Sequence, residues 1–439
     1  MKESSSLENG LTLISNDRKT AFFAGISFFL IISAYYILKP IRESLALEIG
    51  PANIPALNVL SMFSLLPANA LYSWIVANLD RKKFFPLIFY GSIISLVLFF
   101  IVFLEMSQEI NNSRISFSRK TAITIYYVWV NLFALFSVSV FWSFLNDIFT
   151  LQEGERLYSF IGYGGLLGGL FGGVSLKFLI AKVGTSKMLI VAALFLLPVV
   201  WLFHIMEKLK PSQEKKVDDS QNFEEKTKSA INSGASALSG LHTTFASNFL
   251  ILMALETFLN TFGNTVFSYK INELVEQNIA ERDLRTQFWA DNYNLINLLS
   301  IVTQFFLTST ILQCSYPWIG LMLLPIIQIA GSTFLLFSPI LSIAVWCTAS
   351  RYAVNYSAAK AVRELFFIPL SRQEKYQAKG FIDTVVFRSG DGLASSLLLA
   401  GISLFGPGKW IDFLVIVVMV LLVLVIQGLG SHFKKSVKK

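Results

Sequence analysis

The stretch MLIVAALFLLPVVWLFHIMEKLKPSQEKKVDDSQNFEEKTKSAINSGASALSG occupies residues 188–240. Its first part is an almost entirely apolar run of about 20 residues, the length that a helix needs to cross a bilayer. Its second part, residues 207–240, carries dense mixed charge and then Ser, Gly and Ala, a composition that cannot bury a core. Residues 188–240 are therefore predicted to form a membrane helix followed by a polar linker.

Similar apolar runs lie on both sides of this linker. Six helices are predicted before it, near 20–38, 54–78, 84–105, 123–145, 157–180 and 187–206. Six more are predicted after it, near 245–268, 287–312, 316–337, 339–360, 380–405 and 409–430. The fold class is thus an all-α integral membrane protein of about 12 transmembrane helices in two six-helix pseudo-repeat bundles. Its predicted parts are an N-terminal tail (1–19), a first bundle (20–206), the linker (207–240), a second bundle (241–431) and a basic tail (432–439).

The composition agrees with a chain whose main solvent is lipid. Hydrophobic residues make up 54% of the 439 residues and charged residues only 15%, against about 25% in a typical soluble domain. The net charge of +8 comes without a basic stripe interleaved with aromatics, so we expect no nucleic-acid partner. Two cysteines and three scattered histidines form no metal motif, so no cofactor or metal is predicted.

The distribution of basic residues predicts the orientation. The loop DRKK at 80–83 and the tail HFKKSVKK at 432–439 fall on the side that the positive-inside rule assigns to the cytoplasm. The polar start shows neither a secretory signal nor a transit peptide. We expect both termini in the cytoplasm, a location in a bacterial inner membrane, and function as a monomer.

The two halves resemble each other where their first helices end. One ends in YYILKPIRESL, with Lys39, Arg42 and Glu43; the other ends in FSYKINEL, with Lys270. A parallel repeat is what a duplicated six-helix transporter shows, whereas a mere accumulation of charges at helix ends would look similar. The repeat predicts that both halves contribute cations to function.

Charged residues inside the predicted spans are the candidates for function, because each costs about 2.5–3.5 kcal/mol at membrane depth unless it pairs or faces water. Arg351 opens the segment RYAVNYSAAK, in which Tyr352, Asn355 and Tyr356 follow. An arginine there would grip a phosphate or carboxylate bidentately, and tyrosines would hydrogen-bond or stack. A purely structural role for this segment remains the alternative.

Two further sets of polar residues have open interpretations. Arg388 and Asp391 are three residues apart and can pair on one face, whereas Asp383 lies on another; an internal salt bridge and a functional role are both possible. Glu256 is interpreted as a neutral, hydrogen-bonded acid in preference to a proton or cation carrier. Asn264 lies four residues after Asn260, and interhelical hydrogen bonding explains this pair at least as well as substrate contact.

The glycine-rich segment GYGGLLGGLFGG at 162–173 lacks the Lys-Ser/Thr ending of a phosphate loop, so we expect close helix packing there. We find no Ser/His/Asp or Cys/His constellation and no room for an ATP-hydrolysing domain. The chain is therefore not expected to be an enzyme, and any transport must be secondary.

Several motifs resemble the ATP/ADP translocases of plastids and obligate intracellular bacteria, a branch related to the major facilitator superfamily. The segments are LKPIRESL (38–45), FWSFLNDIFTLQEGERLYSFIGYGG (141–165) and KAVRELFFIPLSRQEKYQAKGFIDTVVFRSGD (360–391). In addition, NLDRKKF (78–84) resembles the basic loop between helices two and three of facilitators. The resemblance implies nucleotide exchange through a cavity between the halves that opens alternately to each side, with cations meeting the phosphates.

Individual positions depart from the family's pattern. A functional Lys-Asp pair at the end of helix one corresponds to Arg42-Glu43, with Lys39 one turn earlier. Acidic positions in helices four and seven correspond to Val130 or Asn131 and to Asn264. A lysine in helix eleven falls at or near Asp391. The resemblance therefore implies the fold more firmly than the cargo.

Taken together, the sequence predicts a secondary transporter of a nucleotide or related phosphorylated anion, working by alternating access and as an exchanger. The alternatives are a proton-coupled carrier of a non-nucleotide organic solute, in which Glu256 or Asp391 would titrate, and a membrane sensor or scaffold that does not transport. The candidate substrate contacts are Lys39, Arg42, Lys270, Arg351, Arg388, Tyr36, Asn264, Tyr352, Asn355 and Tyr356. The candidate gating or coupling residues are Glu43, Glu256, Asp383 and Asp391.

Overall fold

The computed structural model describes residues 2–78, 81–105, 116–210, 241–313, 316–368, 370 and 372–437. All regular structure in these residues is helical. The predicted linker at 207–240 lies outside the described residues beyond Lys210, as does the end of the basic tail.

Each apolar run predicted before the linker forms a helix. Helix α2 matches its predicted range, and the other five are longer than the predictions because polar residues at their ends continue the backbone hydrogen bonding. Their bounds are α1 Lys2–Glu48, α2 Ile54–Asn78, α3 Arg81–Glu105, α4 Phe117–Ile148, α5 Leu151–Val183 and α6 Met188–Leu209.

The runs after the linker also form helices, three of which contain a π-helical turn. Uninterrupted helices are α7 Asn248–Asn278, α9 Ile319–Phe337 and α12 Trp410–Val437. Helix α8 comprises Arg282–Val302, a π turn Thr303–Thr308 and Ser309–Gln313. Helix α10 comprises Leu341–Val354, a π turn Asn355–Ala359 and Lys360–Phe366; helix α11 comprises Arg372–Phe381, a π turn Ile382–Val386 and Phe387–Phe405.

Ten helices among the described residues are long and apolar enough to cross a membrane; α2 and α10 are not among the ten. Large apolar side chains point away from the protein along these helices, for example Trp201 at 65% exposure and Phe178 at 68%. Only a lipid environment makes such surfaces favourable, and a helix satisfies its own backbone there. The chain is therefore an all-α integral membrane protein, as predicted.

Helix α1 differs from its prediction at both ends. It begins at Lys2, so the tail predicted at 1–19 is helical from its second residue, and it continues past Pro40 to Glu48. The first conformational break is Gly50, with φ +89°, followed by Pro51. Lys39, Arg42 and Glu43 consequently lie within a membrane helix and not in a loop after it.

The described chain forms two compact units. Unit 1 consists of Met1–Ile49, Ser64–Lys216 and Glu281–Asn294; unit 2 consists of Gly50–Phe63, Val217–Ala280 and Leu295–Lys439. The first 13 residues of α8 therefore pack within the unit that holds α1.

In unit 1, α1 packs against α4, α5 and α6. The glycine-rich face of α5 allows a close approach. A Cβ atom on Gly164, Gly168 or Gly172 would collide with the backbone of α1 at Gly25, Phe29 and Ser33 respectively. Glycines at spacing four thus let two backbones meet along two turns, as predicted.

In unit 2, α7 packs against α11 and α12, and α9 packs against α10 and α12. Close approaches occur here too: a Cβ on Gly390 would press against the Phe258 carbonyl oxygen. These contacts fix the rotation of α7, which decides where its polar residues point.

Candidate functional site

The first candidate site lies on the C-terminal third of α1 in unit 1 and is called the Lys39 cluster; its members are Lys39, Arg42, Glu43, Asn131 and Tyr293. Arg42 donates from Nη2 to the Glu43 carboxylate and from Nη1 to the Asn131 side-chain oxygen. Its guanidinium carbon lies 4.9 Å from the centre of the Tyr127 ring. Arg42 and Glu43 are both buried, so each neutralises the other where water is scarce.

Lys39 has a different environment from Arg42. Among the described residues no carboxylate lies within 4.0 Å of its ammonium. Its Nζ is 3.8 Å from the centre of the Tyr293 ring and about 6 Å from those of Tyr35 and Tyr36. The aromatic faces attract the cation but leave its formal charge uncompensated. An ammonium in this state is a suitable ligand for an anion.

The second candidate site lies in unit 2 and is called the Arg351 cluster; its members are Arg351, Asn260, Asn264 and Tyr352. Arg351 donates from Nη1 to the Asn264 side-chain oxygen at 2.6 Å. It donates from Nη2 to the side-chain oxygen of Asn260 at 2.7 Å and to its carbonyl at 3.1 Å. Asn264 in turn donates to the Tyr352 hydroxyl at 3.1 Å.

Arg351 is only 2% exposed, and all these acceptors are neutral. In the described part of the chain, its Nε has no hydrogen-bond partner and no carboxylate lies within 4.0 Å of its guanidinium. Amide dipoles solvate the guanidinium without cancelling its charge. The Asn260 and Asn264 pair therefore makes the interhelical hydrogen bonds that the sequence suggested, with an arginine as their partner.

A neighbouring ion pair was not predicted. Arg363 donates from Nε and Nη2 to the two oxygens of Glu256, with distances of 3.0 and 2.8 Å, and from Nη1 to Asn355 at 3.1 Å. This two-bond fork is the geometry in which arginine commonly binds a carboxylate. Arg363 was not identified as a partner of Glu256 from the sequence, because the predicted tenth helix ended at residue 360.

A π turn separates Arg351 from Arg363 on α10, at Asn355–Ala359. The partners of the two arginines, Glu256, Asn260 and Asn264, follow each other at intervals of four residues along one face of α7. π turns are rare and occur often at functional sites. Apolar periodicity carries no signal for them, so the sequence could not reveal this one.

Of the other predicted contacts, Lys270 lies apart from these two clusters, whereas Tyr36 and Tyr356 border them. Lys270 donates to Glu273 at 2.8 Å and lies 3.5 Å from Asp412, so it is paired with carboxylates. Tyr356 is 52% exposed at the π turn of α10. Tyr36 lies edge-to-face against Tyr293, with ring centres 6.3 Å apart.

The ion pair between Arg388 and Asp391 that their spacing allows is not formed among the described residues. Asp391 accepts a hydrogen bond from the Thr265 hydroxyl at 2.7 Å, and among the described ion pairs none joins it to Arg388. Arg388 is exposed and lies 5.8 Å from the Phe387 ring centre. Asp383 is exposed within the π turn of α11. Local spacing allowed the pair, but the contact of α11 with α7 directs Asp391 to Thr265.

An ionic network centred on Lys210 joins three helices of unit 1, and its members Lys210 and Glu153 lie outside the candidate membrane spans. Lys210, after α6, contacts Asp17 of α1 at 2.8 Å and also donates to Glu153, in the capping box of α5. Burial acts to raise the pKa of Glu153, but hydrogen bonds from Lys210 and Thr150 and the charge of Lys210 outweigh it and lower that pKa. The network is therefore strongest with Glu153 ionised.

Sequence comparison identifies relatives that cover most of the chain. No family model matches the chain. It is 22% identical to ADP,ATP carrier protein 3 of Rickettsia bellii, over 89% of this chain and 88% of that protein. It is 20% identical to ADP,ATP carrier protein 2 of Chlamydia pneumoniae, over 94% and 87%. The chain is a divergent relative of the ADP,ATP carrier proteins.

Solved structures agree on the fold of this ADP,ATP carrier relative. A bacterial homologue of the iron transporter ferroportin, in its inward-facing state, superposes with a TM-score of 0.69 at 8% identity, over 94% of this chain and 99% of that one. The POT family transporter PepTSo gives a TM-score of 0.59 at 12% identity, over 96% and 99%. The fold is that of the major-facilitator-type secondary transporters, as predicted, and the chain is a membrane transporter and not an enzyme.

Proposed function

We propose that this chain is a secondary transporter that exchanges a nucleotide, or a related phosphorylated anion, across a bacterial inner membrane by alternating access. The observation that carries the proposal is the environment of Lys39, an ammonium beside three tyrosines with no carboxylate within 4.0 Å in the described residues. The names of its relatives, which are ADP,ATP carriers, supply the class of anion.

The physical requirement for such a cargo supports this choice. A polyphosphate gives up strong hydration when it enters a protein, and only cations or dense hydrogen-bond donors replace it. In the described part of each unit, an Arg–Glu pair lies near a cation that has no carboxylate. These are Arg42–Glu43 with Lys39 in unit 1, and Arg363–Glu256 with Arg351 in unit 2. An anionic substrate would neutralise the surplus charge in either cluster.

Four of the other candidate residues would hold or position the cations that contact the substrate, or would contact it themselves. Glu43 would hold Arg42 in place, and Asn264 and Tyr352 would orient Arg351. Lys270 is held by Glu273 and Asp412, and it would reach a substrate only after leaving them. We propose further that the protein works as a monomer with both termini in the cytoplasm.

Counter-exchange in liposomes tests the proposal. The purified full-length chain is reconstituted into vesicles loaded with unlabelled ADP, and uptake of labelled ATP, ADP, other nucleotides and sugar phosphates is measured. We expect uptake that depends on internal substrate. Lys39→Gln should raise the half-saturating concentration at least about tenfold, since a hydrogen bond to a charged group contributes about 1.5–3 kcal/mol. Lys120→Gln, at an exposed lysine of α4, is the control and should leave transport unchanged.

The proton-coupled alternative is separated in the same vesicles. Uptake that collapses when an ionophore dissipates the proton gradient, and that is not competed by excess ATP, would contradict the proposal. Glu256 and Asp391 would then be the residues to test. Their present partners, Arg363 and Thr265, would have to release them at each protonation.

A further inference from the structure

We propose that Tyr293 is a specificity-determining residue, and that its ring stacks with the planar base of a nucleotide whose phosphate is taken by Lys39. This inference rests on the proposed transport of a phosphorylated anion and deepens it. It makes the Tyr293 ring the cause of a preference for nucleotides over phosphates that carry no base. Tyr293 belongs to the first part of α8, which packs within unit 1.

The ring of Tyr293 is held in a fixed orientation. Its hydroxyl donates to a carboxylate oxygen of Glu43 at 3.2 Å, and the same oxygen accepts from Arg42. Trp289, one turn earlier on α8, packs beside it with ring centres 6.1 Å apart, and Tyr36 packs edge-on. A rigid aromatic surface loses little entropy when a flat ligand binds to it.

One face of this ring is covered by a cation that an anion can displace. The Lys39 ammonium lies 3.8 Å from the ring centre, well inside the range of a cation–π contact. Tyr35 and Tyr36 are about 6 Å from the same ammonium and do not hold it as closely. Because a phosphate attracts an ammonium far more strongly than a ring quadrupole does, the phosphate would draw Lys39 away.

Movement of Lys39 would leave the ring in place. Lysine carries its charge on a flexible four-carbon stem, so the ammonium can follow a phosphate over several ångströms. Tyr293 cannot follow, since Glu43 and Trp289 fix it. The exposed ring face is then available to a base, and every nucleobase has a π face that stacks on an aromatic side chain. A single movement of Lys39 would thus provide both the contact to the phosphate and the ring face for the base.

Competition in the reconstituted exchange assay tests this assignment. The inhibition constants of ADP and of inorganic pyrophosphate, which lacks a base, are measured for wild type, Tyr293→Leu and Tyr293→Phe. We expect Tyr293→Leu to raise the constant for ADP about tenfold and to leave that for pyrophosphate within about twofold. Tyr293→Phe keeps the ring and should keep the preference for ADP. Tyr163→Leu, at an exposed tyrosine of α5, is the matched control and should behave as wild type.

Three results would overturn the inference. Equal increases for ADP and pyrophosphate in Tyr293→Leu would show that Tyr293 acts only by positioning Lys39 and Glu43. Loss of the ADP preference in Tyr293→Phe would assign the effect to the hydroxyl. An unchanged preference in Tyr293→Leu would place the base elsewhere. If Tyr293→Leu does not fold, Tyr293→Met, which is closer in length, carries the same expectation. Wild-type vesicles that exchange no phosphorylated solute would refute the proposed function itself, a result distinct from these three.

Discussion

The surroundings of Lys39 in unit 1 and of Arg351 in unit 2 differ, although the charges nearby are alike. In the described part of each unit, an arginine is balanced by a glutamate, and the second cation has no carboxylate within 4.0 Å. Lys39 is partly exposed and faces aromatic rings, whereas Arg351 is 2% exposed and donates to amide oxygens. Aromatic faces hold a cation weakly, while amide acceptors hold it firmly. We therefore propose that Lys39 meets a ligand more readily than Arg351, whose hydrogen bonds also stabilise unit 2.

The largest expected effect follows from breaking a balanced pair. Arg363→Gln removes the partner of Glu256, which is 2% exposed, and leaves a buried carboxylate uncompensated. We expect a loss of about 3–5 kcal/mol in the free energy of unfolding, with a clear drop in Tm measured in detergent. Lys379→Gln, which breaks the exposed pair with Glu364, is the control and should cost less than about 1 kcal/mol. Equal losses in the two variants would show that the buried contact between Arg363 and Glu256 contributes no more to stability than the exposed one.

A smaller effect is expected where the acceptors are neutral. Arg351→Leu leaves the side-chain oxygens of Asn260 and Asn264 without their donor, at a cost of about 1–3 kcal/mol. Thermal unfolding of this variant and of Arg351→Lys would be compared with wild type. Lysine keeps the charge but does not reproduce the forked contacts, so it should restore only part of the stability. A Tm above that of wild type for Arg351→Leu would show that the uncompensated charge of Arg351 outweighs its hydrogen bonds.

For Lys39, in contrast to Arg363 and Arg351, we expect a substitution to affect transport and to leave stability nearly unchanged. Lys39→Gln removes an ammonium that leaves no carboxylate behind, so we expect its free energy of unfolding to stay within about 1 kcal/mol of wild type. The same variant should be impaired in exchange. A loss of stability as large as that of Arg363→Gln would show that Lys39 is structural, and the difference between the two clusters would disappear.

The smallest effect concerns pH and the contact between Lys210 and Glu153. Because the pKa of Glu153 is lowered in the folded protein, its contribution to stability is present above the ordinary value of 4.5 and is lost as the pH falls through the lowered value. The Tm of wild type should therefore fall below about pH 4.5 more steeply than that of Lys210→Gln, in which the chief cause of the lowering is absent. Parallel curves for the two proteins would exclude this network as an acid-sensitive element.

Some features of the clusters could be predicted from the sequence, and others could not. Runs of apolar residues predicted each helix, because membrane length and hydropathy are local properties. The residue types at Lys39, Arg42 and Arg351 indicated an anion site, because a charge in lipid requires a partner. Their actual partners depend on how each helix is rotated, which is why Asp391 binds Thr265 and Lys270 lies between Glu273 and Asp412.

The sequence by itself determined that this is a two-part helical membrane protein with cations inside its spans, since both properties follow from the cost of placing polar groups in lipid. Only the tertiary structure decided which cations are neutralised. It paired Arg363 with Glu256, surrounded Arg351 with amides, and placed Tyr293 of α8 over Lys39. These residues are far apart in the chain, and packing between helix backbones, as at the glycines of α5, sets the rotations that bring them together.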